Sequence, residues 1–246
     1  MIRIDKVTKS FSERLTVLAG VSFDCKNNQI TSLIGPSGGG KTTLLNLISK
    51  LDKQDHGDIT IESHDNAPVG YMMQDPLMLP WRTLSENSLV GAEVIGTRSH
   101  NLSDQLSHYF EVFDLGDDRD TYPLAASAGM KQRVALIRTL LISPSVLLLD
   151  EPFSNLDFDI KLKVQSKLID YQLKRQATIL LVTHDIEDAI ALSDKVVVLS
   201  DKPTTVKSEI AIDLGLERHN PVEARKSPKF REYFIKIWDQ LKYLHE

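Results

Sequence analysis

Cysteine is nearly missing: Cys25 is the one cysteine in 246 residues. No internal disulfide can form, which excludes a small secreted scaffold held by cross-links. Long apolar runs are missing too. No stretch of about 18 apolar residues occurs, so no membrane-spanning helix is predicted. There is no internal repeat and no low-complexity tract. Nor does either sign of charge dominate. The 29 Lys+Arg against 34 Asp+Glu give a net charge of -5, which disfavours binding nucleic acid by phosphate neutralisation. Met1-Ile2-Arg3-Ile4-Asp5 carries an acid and does not read as a signal peptide. The 41% hydrophobic and 26% charged residues that remain are those of an ordinary globular chain. A cytoplasmic protein is expected, one that borrows any membrane function from a partner.

Patterning along the chain alternates between two periods. Ile2, Ile4 and Val7, and then Val17 to Phe23, read as strands. Ile30 to Ile34 is a short apolar run that suits a buried strand. Leu44, Leu45, Leu47, Ile48 and Leu51 then recur at helical spacing. Gly57 to Ile61 and Val69 to Met73 are strand candidates, and Thr83 with Glu86 is a capping-box pattern for a helix through about Ile95. The middle is helical in flavour, from Ser103 to Phe113 and from Ser127 to Leu141. Val146 to Leu149, Thr178 to Val182 and Val196 to Leu199 read as strands. Ile160, Val164 and Leu168 share a helix face, and Ile186 to Leu192 forms another helix. Phe230, Phe234, Ile237 and Leu241 stripe a last one that begins near Ser227-Pro228. Strands alternating with helices predict an α/β fold with a largely parallel sheet, interrupted by a helical subdomain.

Gly35-Pro36-Ser37-Gly38-Gly39-Gly40-Lys41-Thr42 fits the phosphate-loop pattern G-x-x-x-x-G-K-[ST] in full, between a predicted strand and a predicted helix. Glycines let the backbone curl so that its N–H groups point at a polyphosphate. The helix N-terminus from Lys41 adds its dipole. The Lys41 ammonium is placed to neutralise outer phosphates, and the Thr42 hydroxyl to ligate Mg²⁺. Thr43 follows in the same turn. Asp150-Glu151 ends the apolar run from Val146, at the sheet edge where ligands bind in open α/β folds. Asp150 suits a Mg²⁺ shell, and Glu151 is then free to polarise a water for in-line attack on a γ-phosphate.

Further segments narrow the field. Gln74 follows the strand Val69 to Met73, Ser127-Ala128-Gly129-Met130-Lys131-Gln132-Arg133 precedes the acidic strand, Ser154-Asn155-Leu156-Asp157 follows Glu151, and His184 comes just after Val182. In this order they resemble the nucleotide-binding domain of ABC transporters over nearly the whole chain. The resemblance implies a P-loop NTPase, RecA-like core with a mostly parallel sheet, an antiparallel β subdomain and an inserted helical subdomain at roughly 75–140. It implies one ATPase domain over 1–246 with a C-terminal helix at roughly 227–244. It also implies roles. Gln74 is the residue that senses Mg²⁺ and the attacking water, Phe11 the aromatic that stacks on adenine, and His184 the switch histidine at the γ-phosphate. Ser154 to Asp157 cross a dimer interface. ATP lies between the phosphate loop of one copy and Ser127 and Gly129 of a second.

The family usually carries Leu-Ser-Gly-Gly-Gln where this chain has Ala126-Ser127-Ala128-Gly129-Met130, so Ala128 puts a methyl where the family has none. Leu79-Pro80-Trp81-Arg82-Thr83 and Ser227-Pro228-Lys229-Phe230 resemble segments of nitrate, sulfonate, taurine and thiamine-precursor importer ATPases. The expectation is therefore an ATPase subunit using ATP and Mg²⁺, peripheral on the cytoplasmic face of the membrane. Its expected partners are a second ATPase subunit, integral permease subunits and, indirectly, a solute-binding protein, with no nucleic acid. An alternative is a soluble ABC-type ATPase outside transport, but no long coiled coil and no second such domain is visible. A small-molecule kinase would have no use for Ser127-Gly129 or Ser154-Asp157.

Overall fold

The computed structural model of the chain describes residues 1–12, 15–62, 67–96, 101–216 and 220–242. Strands β1 (Ile2–Ser12), β2 (Leu15–Cys25) and β4 (His56–Ile61) form an antiparallel sheet in the order β2-β1-β4. The larger sheet takes β3 (Ile30–Ile34), β5 (Val69–Met72), β6 (Val146–Asp150), β7 (Thr178–Val182), β8 (Lys195–Leu199) and β9 (Val206–Ala211) in the order β5-β6-β7-β3-β8-β9. All its pairs are parallel except β8 with β9.

Every residue of β3, β6 and β7 is buried, as expected for central parallel strands covered on both faces. Successive residues serve opposite faces. Val146 and Leu148 pack with Leu180, Val182 and helix α1 (Lys41–Ile48), on the side that β1 and β2 cover. Leu147 and Leu149 pack with Ile179 and Leu181 against α4 (Ala128–Leu141) and α5 (Phe158–Arg175). Each such leucine contributes roughly 2–3 kcal/mol on burial. Helices α2 (Leu84–Val94) and α3 (Leu102–Val112) continue this second core through Leu84, Leu106 and Phe110. A third cluster lies under α6 (Ile186–Leu192) and α8 (Pro228–Lys242), where Ile190, Phe230 and Ile237 cover Ile34, Val196 and Val198.

The capping box is formed: Thr83 Oγ1 accepts from Glu86 N–H at 3.3 Å, and Glu86 Oε2 accepts from Thr83 N–H at 2.8 Å. Strand β9 and the short helix α7 (Pro221–Lys226) were not expected from the sequence. Helix α8 ends its described course at Lys242, and the last residues of the C-terminal helix expected at roughly 227–244 lie outside the described residues. Cys25 is buried on β2, and burial pushes its thiol up to about 12.

Candidate active site

The sheet order brings the chemistry together. β3 pairs with β7, and β7 with β6, so Leu33, Val182 and Asp150 stand in one row across adjacent strands. At about 4.8 Å per strand, the loops that leave β3, β7 and β6 open onto one edge within roughly 10 Å. Those loops carry the phosphate loop, His184 and Glu151. They line a cleft of ≈ 600 Å³ that also takes Phe11, Leu15 and Val17 from the antiparallel sheet, Gln74 from beyond β5, and Lys202.

The phosphate loop is shaped for an anion. Gly40 caps α1 at φ 76 with no side-chain cap and no acid in the helix's first turn, so the first-turn N–H groups and the helix dipole are left for a ligand. A Cβ at Gly40 would come within 2.7 Å of Val17 Cγ1, so only glycine fits this close approach. Gly35, Ser37, Gly38, Gly39, Gly40, Lys41, Thr42 and Thr43 all line the cleft. Pro36 is not among the lining residues; its carbonyl accepts from Lys41 Nζ at 2.9 Å, as does that of Gly35. Burial pulls the Lys41 ammonium below its ordinary range, while the Glu151 and Asp150 charges oppose that. Thr42 Oγ1 donates to Asp150 Oδ2 at 2.7 Å. Burial raises the Asp150 carboxyl, with the Thr42 hydrogen bond acting against it. One hydroxyl and one carboxylate side by side fit Mg²⁺, which is commonly held by one or two carboxylates together with substrate phosphates.

Glu151 sits at φ 50, a left-handed conformation that costs a non-glycine residue about 1–3 kcal/mol. Several hydrogen bonds fix it there. Its N–H donates to the Val182 carbonyl at 2.9 Å, and its carbonyl accepts from Gln132 Nε2 at 2.6 Å and from Ser154 Oγ at 3.2 Å. The carboxylate then meets His184, with Nδ1 3.1 Å from Oε2. The His184 side chain remains 66% exposed toward the cleft.

Other expected residues lie elsewhere. Ser127, Gly129 and Asp157 are not among the lining residues of this chain's cleft. Ser127 caps α4, its Oγ accepting from Met130 N–H at 3.2 Å while its own N–H donates to Met130 Sδ at 3.5 Å. A Cβ at Gly129 would stand 2.7 Å from the Asn155 carbonyl, so the start of α4 abuts the segment after Glu151. Asp157 is the N-cap residue of α5 without a side-chain cap. Ala128 is exposed. Phe11 is 57% exposed with Lys9 Nζ 5.4 Å from its ring centroid, an open aromatic face at the cleft. Trp81 is 71% exposed. It stands on a turn that Asn87 clamps, with Asn87 Oδ1 accepting from Leu79 N–H and Nδ2 donating to the Leu79, Arg82 and Thr83 carbonyls. Lys202 and Gln132 were given no role from the sequence. A lysine in a β8–β9 loop carries no motif, and the bonds of Gln132 depend on folding.

The geometry agrees with what the chain is similar to. The family model for the ABC transporter matches residues 18–154. The uncharacterized ABC transporter ATP-binding protein YtlC of Bacillus subtilis is 36% identical over 252 residues, covering 100% of this chain and 97% of that protein. The formylaminopyrimidine import ATP-binding protein of Halalkalibacterium halodurans is 36% identical, over 89% of this chain and 87% of that protein. The nitrate import ATP-binding protein of Synechocystis sp. is 34% identical, over 94% and 88%. A dimeric, post-hydrolysis structure of an ATP-binding cassette bound to ADP and Pi superposes with a TM-score of 0.77 at 27% identity, covering 87% of this chain and 99% of that chain. A strand-edge cleft built for a polyphosphate and a match to this family along the same residues leave one conclusion: the chain belongs to the ABC transporters, as an ATP-binding and ATP-hydrolysing subunit.

Proposed function

We propose that this ATPase powers import of a small solute through separate permease subunits, working as a pair of copies that enclose two ATP molecules. The observation that carries the reading is the Glu151–His184 pair, 3.1 Å apart in a cleft floored by the phosphate loop. Glu151 is the base that takes the proton of the attacking water. His184 orients that water and contacts the γ-phosphate, and Gln74 reports on both. Lys41 and the loop N–H groups hold the phosphates, and Phe11 stacks on the adenine. Thr42 and Asp150, with Gln74, would hold Mg²⁺, which supplies charge neutralisation at the phosphates.

Ser127 and Gly129 serve the partner copy's nucleotide, and Asp157 lies at the seam. In this reading the chain is one ATPase domain over 1–246, and a helical subdomain over roughly 75–140 presents Ser127. Exposed Trp81 and Leu77, both following Gln74, offer an apolar rest to a permease on the cytoplasmic face. Among the described residues no helix is long and apolar enough to cross a membrane, and in this reading the pore belongs to the permease. Nitrate, a sulfonate, taurine or a thiamine precursor is the proposed cargo. The importer names of the formylaminopyrimidine and nitrate relatives support this. Selection of the solute lies in the permease and an external binding protein.

The test is Glu151→Gln. ATP binding is expected to persist, turnover to fall at least about 100-fold, and a stable dimer to accumulate on size exclusion with ATP. Parent turnover in that variant removes the base assignment. Ligand screening of the co-purified binding protein tests the cargo: a sugar or peptide ligand removes the proposed solute class and leaves the ATPase untouched.

A further inference from the structure

Gln132 has no place in the reaction as described, yet it is 1% exposed and uses both ends of its side-chain amide. Nε2 donates to the Glu151 carbonyl at 2.6 Å and to Ser154 Oγ at 3.1 Å. Oε1 accepts from Asn155 N–H at 2.9 Å. Ser154 Oγ in turn donates to the same Glu151 carbonyl at 3.2 Å. One amide therefore fastens helix α4 to both sides of the turn that follows β6.

That turn is where the backbone is strained. Glu151 is the left-handed residue, and its φ decides which way its side chain leaves the strand edge. Its N–H is fixed by Val182 on β7, so the carbonyl is the other handle by which its conformation can be held. A strained residue persists only when its surroundings over-determine it. We infer that Gln132 is a positioning residue for Glu151, holding the left-handed turn so that the carboxylate stands against His184. The inference rests on Glu151 being the base and adds a residue that never touches nucleotide.

The side chain required is narrow. Methionine has the reach but no donor for the Glu151 carbonyl, and its thioether sulfur is only a weak acceptor. Glutamate keeps the acceptor for Asn155 N–H but turns an oxygen toward the Glu151 carbonyl. Only the amide serves both partners in one plane.

The experiment uses the full chain with Gln132→Met, Gln132→Glu and Ser154→Ala, each alone and combined with Glu151→Gln. Steady-state ATP hydrolysis and titration with a fluorescent ATP analogue are read together. The single Gln132 variants are expected to lose about 10- to 100-fold in kcat, with KM for ATP and analogue affinity held within about twofold. In the Glu151→Gln background the same changes are expected to lower residual turnover no further, because the group they position is gone. Equal loss of kcat and nucleotide affinity overturns the inference, and so does a loss that multiplies with that of Glu151→Gln. If the Gln132 variants do not fold, Ser154→Ala decides, since Ser154 is exposed and shares the Glu151 carbonyl. A kcat loss of about 3- to 10-fold is expected there, and parent turnover overturns the inference. Parent turnover by Glu151→Gln alone would instead remove the base assignment and the inference with it.

Discussion

The Nδ1 atom of His184 lies 3.1 Å from Oε2 of Glu151, although the residues come from loops after different strands. The contact fixes the imidazole through one nitrogen and leaves the other for the cleft. His184→Ala is therefore expected to lower ATP turnover by about 100-fold or more while nucleotide affinity stays within about twofold. Steady-state kinetics and an equilibrium titration on one preparation check this. A matched fall in affinity would assign His184 to binding and not to the chemical step.

Two glycines of the phosphate loop share a conformation but not their surroundings. Gly38 stands at φ 73 with open space where a Cβ would go, and Gly40 at φ 76 with Val17 and Leu18 within 2.9 Å. Gly38→Ala is expected to cost only the left-handed strain, about 1–2 kcal/mol. Gly40→Ala adds steric overlap and is expected to cost more. Thermal or denaturant unfolding of the two variants without nucleotide measures the difference, and equal losses would contradict the packing around Gly40.

Asn87 is fully buried, and its side chain holds the turn from Leu79 to Thr83. Asn87→Ala leaves those backbone groups without their partner. A loss of about 2–3 kcal/mol is expected, read as a shift in the denaturant midpoint at unchanged slope. Hydrogen exchange at Leu79 should accelerate in the same variant.

Lys161 lies between Asp185, which caps α6, and Asp188 on its first turn, with Nζ 2.7 Å from Asp185 Oδ2 and 2.7 Å from Asp188 Oδ2. Burial lowers its affinity for a proton, but the hydrogen bonds and charges of Asp185 and Asp188 outweigh this and hold the ammonium above the ordinary 10.5. A lysine raised on folding stabilises fully below its unfolded value and loses that contribution as pH rises through the folded value. Lys161→Met is expected to destabilise by about 2 kcal/mol at pH 8, less than a fully buried pair because Asp185 is partly exposed. The gap between parent and variant should narrow above pH 10.5. A gap that stays constant across that range would show that the lysine contributes through packing alone.

The legible parts of the fold were those with strong local signals. Apolar runs gave β3, β6 and β7, and Thr83 with Glu86 placed the start of α2. β9 was missed because Val206–Ala211 is an edge strand in which Ile210 is the one buried residue, so no apolar alternation announces it. α7 is only six residues long, too short for a helical period to show despite Asn220 at its cap and Pro221 at its start. The phosphate loop, Asp150, Glu151 and His184 were readable because each follows an apolar strand in a fixed pattern. Sheet order was not readable, since β3 ends between β7 and β8, strands far from it in the chain. Gln132 escaped for the same reason: its partners, two backbone groups and the Ser154 hydroxyl, lie 19 to 23 residues away, and no sequence pattern marks the pairing.

Cys25, the chain's lone sulfhydryl, lies buried with its proton held tightly, so almost no thiolate forms near neutrality. A cysteine introduced on the surface would then be the one site open to a maleimide dye or a bifunctional cross-linker, with no need to delete the native residue. Spectroscopic distance measurements that test the proposed pairing of two copies can therefore start from the wild-type background.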